Sequence, residues 1–269
     1  MDKDSSLNLR ITRTAILAAR QAGRELFRLF GGKLSIRRKY DYPGSIVTNA
    51  DETAEAVILG RIKRSRIKCT VISEEAGIVD LGSKEIVWAV DPLDGTFNYA
   101  RRIPYFAVSI GVTVKGIPTV GAIYNPVLDE MFVATRGHGC RLNGKRVHVS
   151  RAKSLKDSSL IFEWWNPEPR IPDPIELHRR LFRYTRSLRS LGSVALNLCS
   201  VACGRFDGLI TVFEKAPIHE LCAGCLLVQE AGGIVTNSAG HRWEDLSGSI
   251  LAGGGAIHAE MGSLVRDLL

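Results

Sequence analysis

The residue order predicts a mixed α and β chain with an antiparallel component, and three observations carry that prediction. Residues 11–30 set Ile11, Ala15, Leu17, Ala18, Ala22, Leu26 and Phe27 at helical spacing. Residues 106–133 read as consecutive strands with a tight turn between the first two. The run Ile86-Val87-Trp88-Ala89-Val90 is apolar and β-prone, and it delivers a carboxylate, Asp91, at its C-terminal end.

The elements follow in order. The first is the helix of residues 11–30, stopped at Gly31-Gly32, a C-terminal signal. Val47-Thr48-Asn49-Ala50-Asp51 is a short stretch ending in an acid, and from Asp51 the chain reads helical through Ala54, Val57, Ile58 and Ile62. Val71-Ile72-Ser73-Glu74-Glu75 is a second apolar run ending in paired carboxylates, and residues 86–91 are the third. Residues 107–114 and 120–124 then form a hairpin about a turn at Lys115-Gly116-Ile117-Pro118, extended by residues 130–134. Residues 137–145 are read as loop and turn. A subdomain change near Ser150 divides the chain into an N-terminal unit, 1–150, and a C-terminal unit, 151–269. In the second unit residues 158–163 read as a strand, residues 167–174 as a stiff proline-rich loop, 191–202 as a helix, 209–213 as a strand, and 220–231 as a helix ending at Gly232-Gly233.

Length and composition agree with a globular protein. A chain of 269 residues that is 45% hydrophobic buries a large core without disulfides, and its six cysteines read as reduced thiols of a cytoplasmic protein. No uncharged apolar run is long enough for a membrane span, and the acidic start Met1-Asp2-Lys3-Asp4 gives no secretory signal. Net charge is +8. The basic residues fall in several places, Arg37-Arg38-Lys39, Arg61 to Arg64 and Arg179 to Arg189, with no nucleic-acid module around them, so a solvated or anion-attracting surface is expected rather than a nucleic-acid partner. Arg179, Arg183 and Arg186 would share one face of a helix.

The chemistry concentrates in Asp91-Pro92-Leu93-Asp94-Gly95-Thr96. Pro92 interrupts the strand ladder, Gly95 lets backbone approach a ligand, and Thr96 opens a helix whose N–H groups face phosphate. Asp91 and Asp94 offer hard oxygen ligands to a divalent cation such as Mg2+. Taken alone the hexapeptide is also a good turn sequence. Three stretches each ending in a carboxylate, at Asp51, at Glu74 or Glu75 and at Asp91, favour a metal site.

These residues resemble the inositol monophosphatase-like family of Mg2+-dependent, lithium-sensitive phosphatases. The likeness rests on Val47-Thr48-x-x-Asp51, Ser73-Glu74-Glu75, Trp88-x-Val90-Asp91-Pro92-Leu93-Asp94-Gly95-Thr96-x-Asn98, Gly192-Ser193-x-Ala195-Leu196-Asn197-Leu198-Cys199, Ala202-x-Gly204-Arg205-x-Asp207 and Gln229-Glu230-Ala231-Gly232-Gly233, in family order from about Ala18 to Leu251. It implies a layered αβαβα sandwich, usually dimeric, that hydrolyses inositol monophosphate or a related sugar phosphate. It further implies that Glu74, Asp91 and the carbonyl of Leu93 hold one Mg2+, that Asp91 bridges to a second held also by Asp94 and Glu220, and that two or three ions act per site. Thr96, hydrogen-bonded to Asp51, would orient and help deprotonate an attacking water, with Asp51, Glu74 and Thr96 as the catalytic set. Asp94 and the backbone of Gly95 and Thr96 would face the phosphate ester.

Departures from the family pattern bear on function. His219-Glu220 stands where the family has Trp-Asp, so the second cation site has a longer carboxylate, or else Glu220 caps its helix and the site is weakened. Glu214 lies near the family position for sugar hydroxyls, although alignment from Asp207 places Thr211 there. Lys39 matches a lysine near the phosphate region, whereas the usual acid before the Val-Thr pair is Ser45. Arg205 and Lys215 are candidates for a second anionic group, which would suit fructose 1,6-bisphosphate or a nucleotide 3'-phosphate. Cys199, Cys203, Cys222 and Cys225 lack zinc spacing and read as buried small hydrophobes. Two classes stay open: a Mg2+-dependent phosphatase whose partner is a small phosphate ester, with neither nucleic acid nor membrane, and a catalytically weakened homologue with a binding or regulatory role.

Overall fold

The computed structural model describes residues 3–39, 46–164, 174–212, 217–245 and 249–265. Its first layer is a helix pair, α1 (Lys3–Leu29) and, after the short ribbon of β1 (Ile36–Arg38) and β2 (Ile46–Thr48), α2 (Asn49–Ser65). Ile11, Ala15, Ala18, Ala19, Ala22 and Leu26 of α1 are fully buried, as a stripe at that spacing demands.

These helices cover one face of an eight-stranded sheet made of β3 (Thr70–Ser73), β4 (Gly77–Asp80), β5 (Ile86–Asp94), β6 (Ala107–Val114), β7 (Ile117–Asn125), β8 (Glu130–Thr135), β9 (Cys140–Leu142) and β10 (Lys145–Arg146), with the five-residue helix α3 (Thr96–Ala100) leaving the end of β5. The order across the sheet is β10-β9-β8-β7-β6-β5-β3-β4. Only β3 and β5 run parallel; the other neighbours are antiparallel, which is the expected antiparallel component. Lys115 and Gly116 both take positive φ, 52° and 76°, the geometry of a two-residue hairpin turn. Hence the turn is tighter than read from sequence, with Ile117 and Pro118 already in β7. Residues 137–145 also differ from the expected loop, because Cys140–Leu142 extends the sheet edge against β8.

The second sheet contains β11 (Ser159–Trp164), β12 (Ser187–Arg189), β13 (Gly208–Val212), β14 (Ile234–Asn237) and β15 (Ile250–Gly253), in the order β12-β11-β13-β15-β14. Between the sheets lie α5 (Val194–Ala202), buried along its whole length, and α6 (Ile218–Glu230), buried from Leu221 to Val228, as helices sandwiched between two sheets must be. On the outer face of the second sheet, α4 (Pro174–Tyr184) and α7 (Gly255–Val265) bury Leu177, Leu181, Ile257, Met261 and Val265. The sequence of layers is therefore α, β, α, β, α, the expected sandwich. Arg186 follows the end of α4, so it does not share a helical face with Arg179 and Arg183. The proline-rich stretch 167–173 lies outside the described residues. No described helix is long and apolar enough to cross a membrane.

Candidate active site

The parallel pairing of β3 and β5 sets the site. Their register places Ser73 beside Val90, so the next residue of each strand, Glu74 and Asp91, leaves the sheet side by side. The Glu74 N–H closes the pair by donating to the Val90 carbonyl at 3.1 Å. Past Asp91 the ladder to β6 slips, running from Asp91 opposite Ser109 to Asp94 opposite Ala107. Pro92, which has no N–H to give, thus makes a bulge within the strand rather than ending it, a correction to the expected turn. The Leu93 N–H folds back onto Asp91 Oδ1 at 3.0 Å, and Gly95 turns the chain into α3 at φ +87°. Only glycine fits there: a Cβ would lie 3.0 Å from the Tyr105 carbonyl oxygen.

Asp94 is 6% exposed and is held by the start of α5. Its carboxylate accepts from Val194 N–H at 3.2 Å and Ala195 N–H at 3.0 Å, and from the Ser193 hydroxyl. Glu220 enters from the first turn of α6. The residue is half-buried, yet its Oε2 is shut off from solvent and has no hydrogen-bond partner.

A third element brings the proton-handling pair. Thr48 caps α2, and Asp51 Oδ2 completes the capping box by accepting from Thr48 N–H at 2.8 Å and its hydroxyl at 2.6 Å. The other oxygen, Oδ1, faces the Thr96 hydroxyl at 3.0 Å. Thr96 Oγ1 is also 2.9 Å from the Leu93 carbonyl oxygen, so one hydroxyl proton serves two acceptors. This is the Asp51–Thr96 contact that the resemblance implies.

Electrostatics bind these groups into one cluster. Burial, then Glu74, Asp94 and Glu220, push the Asp91 carboxyl well above its ordinary range. Burial raises Asp94 to about 7 even though Ser193, Ala195 and Val194 hydrogen bonds pull against it. Glu220 is driven up by burial and by Glu74 and Asp94. Burial also brings Asp51 up to about 6 against the bonds from Thr48 and Thr96. Like charges that raise one another out of water need a cation among them. Part of that charge comes from Lys39, whose ammonium bonds Glu74 Oε1 and Glu75 Oε1, each at 2.9 Å. The residues fit a divalent cation on a further ground, the orphaned Oε2 of Glu220, since an unpaired buried carboxylate oxygen is costly unless a ligand takes it. Among the described residues no three such side chains already stand as a ready coordination shell. Lys39, the Asp91 turn and the α5 amides occupy the oxygens instead, and each carboxylate retains further lone pairs.

Not every candidate joins the cluster. Arg205 lies beyond the C-terminal end of α5, opposite the end that holds Asp94, and its guanidinium forms a two-pronged ion pair with Glu130. Its charge is matched there by Glu130. Glu214 and Lys215 lie outside the described residues. Thr211, the alternative to Glu214, is fully buried in β13 with an unpartnered hydroxyl. The cysteines are free, and Cys199, Cys222 and Cys225 are buried in helices as expected. Missed from sequence was Glu163, a β11 carboxylate 3% exposed that accepts from Gly192 N–H at 2.8 Å. A lone acid in an otherwise apolar strand, Leu160-Ile161-Phe162-Glu163, was the available signal.

Comparison with known proteins agrees with the layered fold. Residues 8–268 match the family described as the inositol monophosphatase family, a longer span than the motifs alone covered. The Nus factor SuhB of Escherichia coli strain K12 is 37% identical over 256 residues, 95% of each chain. Among solved structures, the extragenic suppressor protein suhB of Bartonella henselae superposes with a TM-score of 0.89 at 32% identity, covering 96% of this chain and 99% of that one. Inositol monophosphatase from Anabaena (Nostoc) gives 0.83 at 33% identity over 96% of each chain. The name Nus factor, carried by relatives this similar, overturns the expectation drawn from the scatter of basic residues that nucleic acid is excluded as a partner. The motif order, the layered sandwich and the family match lead to one conclusion: the chain belongs to the inositol monophosphatase family.

Proposed function

We propose that this chain is a Mg2+-dependent hydrolase of phosphate monoesters, with an inositol monophosphate or a related sugar phosphate as substrate. The observation that carries the reading is the convergence of Glu74, Asp91, Asp94 and Glu220, in which Glu74 helps raise the proton affinity of the other three carboxylates around an oxygen with no partner. Glu74, Asp91, the Leu93 carbonyl, Asp94 and Glu220 would hold the cations, with residues 1–150 supplying all but Glu220. A divalent cation bound there neutralises charge on phosphoryl oxygens and acidifies water. The chain's own contribution is to position and to move a proton. Thr96 Oγ1 presents its hydroxyl to the attacking water, and Asp51, with a pKa near 6 in its capping box, takes the proton through Thr96. The Gly95 and Thr96 N–H groups, at the bend into α3, face the phosphate.

Release of inorganic phosphate from a panel of inositol, fructose and nucleotide phosphates, with and without Mg2+, tests this reading. Mg2+-dependent release from an inositol or sugar phosphate is expected, and no Mg2+-dependent release from any ester sinks it. A second reading is favoured by the name of the curated relatives: the chain also serves as a Nus factor, with the binding role left open by His219-Glu220. Retention of RNA by the purified chain, undiminished in a Glu220→Gln variant, would separate that role from hydrolysis.

A further inference from the structure

We propose that Glu163 is a positioning residue for Asp94, acting through the segment from Ser190 to Ala195. The inference rests on the reading of Asp94 as a cation ligand. Glu163 makes no contact with the carboxylate cluster. Its Oε1 instead accepts from the Leu191 N–H, from the Gly192 N–H at 2.8 Å and from Asn197 Nδ2 at 3.0 Å, while Oε2 accepts from the Ser190 hydroxyl at 2.8 Å. The same two residues are gripped through their carbonyls by Asn98, whose Nδ2 lies 2.7 Å from the Leu191 oxygen and 3.3 Å from that of Gly192, so that the 191–192 peptide group is held on both sides. Asn98 Nδ2 is also tied to the Tyr105 carbonyl at 3.0 Å, and the Tyr105 hydroxyl returns to Asn197 Oδ1 at 2.9 Å.

One residue past this clamp the chain delivers Ser193, Val194 and Ala195, whose donors converge on Asp94. Glu163 and Asn98 thus fix the direction of those donors, and the donors fix Asp94. A carboxylate suits the task because it accepts at both oxygens and has capacity for all four donors. Glu163 belongs to the second sheet and Asn98 to the first half of the chain, so the clamp also ties the two sides of the site together.

The test compares wild type with Glu163→Ala, Glu163→Gln and Asn98→Ala by hydrogen exchange of residues 190–197, Mg2+ calorimetry, and kcat and KM for whichever ester the wild type hydrolyses. Glu163→Ala is expected to speed exchange in that segment and to weaken Mg2+ binding by about 10- to 100-fold, the usual effect of losing the support of a metal ligand, with KM unchanged. Glu163→Gln keeps an oxygen for the three donors on Oε1 and lets the Ser190 hydroxyl turn to accept, so wild-type affinity should return. Faster exchange with unchanged Mg2+ affinity in Glu163→Ala overturns the proposal, as does a Glu163→Gln variant as impaired as the alanine. Should Glu163→Ala fail to fold, Asn98→Ala must show the same weakening, and undiminished affinity there overturns it too. A wild type that binds Mg2+ but hydrolyses nothing refutes the phosphatase reading while calorimetry still decides the clamp. A wild type that binds no Mg2+ refutes both.

Discussion

Glu220 is the residue on which chemistry and stability pull in opposite directions. One of its carboxylate oxygens is buried without a partner and the group is pressed by Glu74 and Asp94, so it destabilises the cation-free chain. Glu220→Gln should therefore raise the cation-free melting temperature, by removing a buried charge, and weaken Mg2+ by at least about ten-fold. Differential scanning calorimetry and Mg2+ titration of the same variant check both signs. Asp51 and Thr96 are a different case, since neither is placed to hold the cation. Thr96→Ala removes the relay, and the expected loss is in kcat, about 10²- to 10⁴-fold, with Mg2+ affinity retained. Asp51 was visible in the sequence because it ends a short stretch and opens a helix, and Thr96 because it follows Asp94-Gly95. Glu163 was passed over because all four of its donors lie some thirty positions away and two of them are peptide N–H groups, which leave no mark in residue type.

At the level of elements, the site is an outcome of strand register and close packing. Glu74 meets Asp91 because β3 runs parallel to β5 with no slip, and Glu220 meets both because α6 lies directly on β6 and β7. That approach depends on Gly111, where a Cβ would come within 2.6 Å of Cys222 Cβ and 2.8 Å of Ala223 N. Gly111→Ala must push α6 off the sheet, at a cost of about 1–3 kcal/mol, and carry Glu220 away from its partners. Denaturant unfolding reads the first effect and Mg2+ affinity the second. Most elements were legible from periodicity. The boundaries that were not, the extension of β5 through Pro92 and the strand at Cys140–Leu142, are set by pairing with neighbours rather than by local preference.

For the whole molecule the layered sandwich gathers acids from α2, β3, β5 and α6 into one low-dielectric cleft, and its stability should report that charge. Asp51 and Asp94 have folded-state pKa values raised from 3.8 to about 6 and about 7. Between those limits the folded chain binds more protons than the unfolded one, so this stability is complete below pH ~4 and is lost as pH rises through ~6 and ~7. The cation-free protein should accordingly melt at a lower temperature at pH 8 than at pH 5.5, and Mg2+ should abolish most of the difference. The layering itself was legible only through the family resemblance, because residue periodicity shows helices and strands without showing which faces meet. The partner reading went astray for a related reason: counting basic residues along the chain says nothing about what a folded surface binds. The proposed metal-dependent phosphatase activity rests on the converging carboxylates. Phosphate release from inositol 1-phosphate by wild type and by Asp91→Asn, each with and without Mg2+, tests it most directly. Release is expected only from wild type with Mg2+, with the variant at least about 10³-fold slower, and release that ignores Mg2+ or survives the loss of Asp91 would rule out a metal-dependent phosphatase.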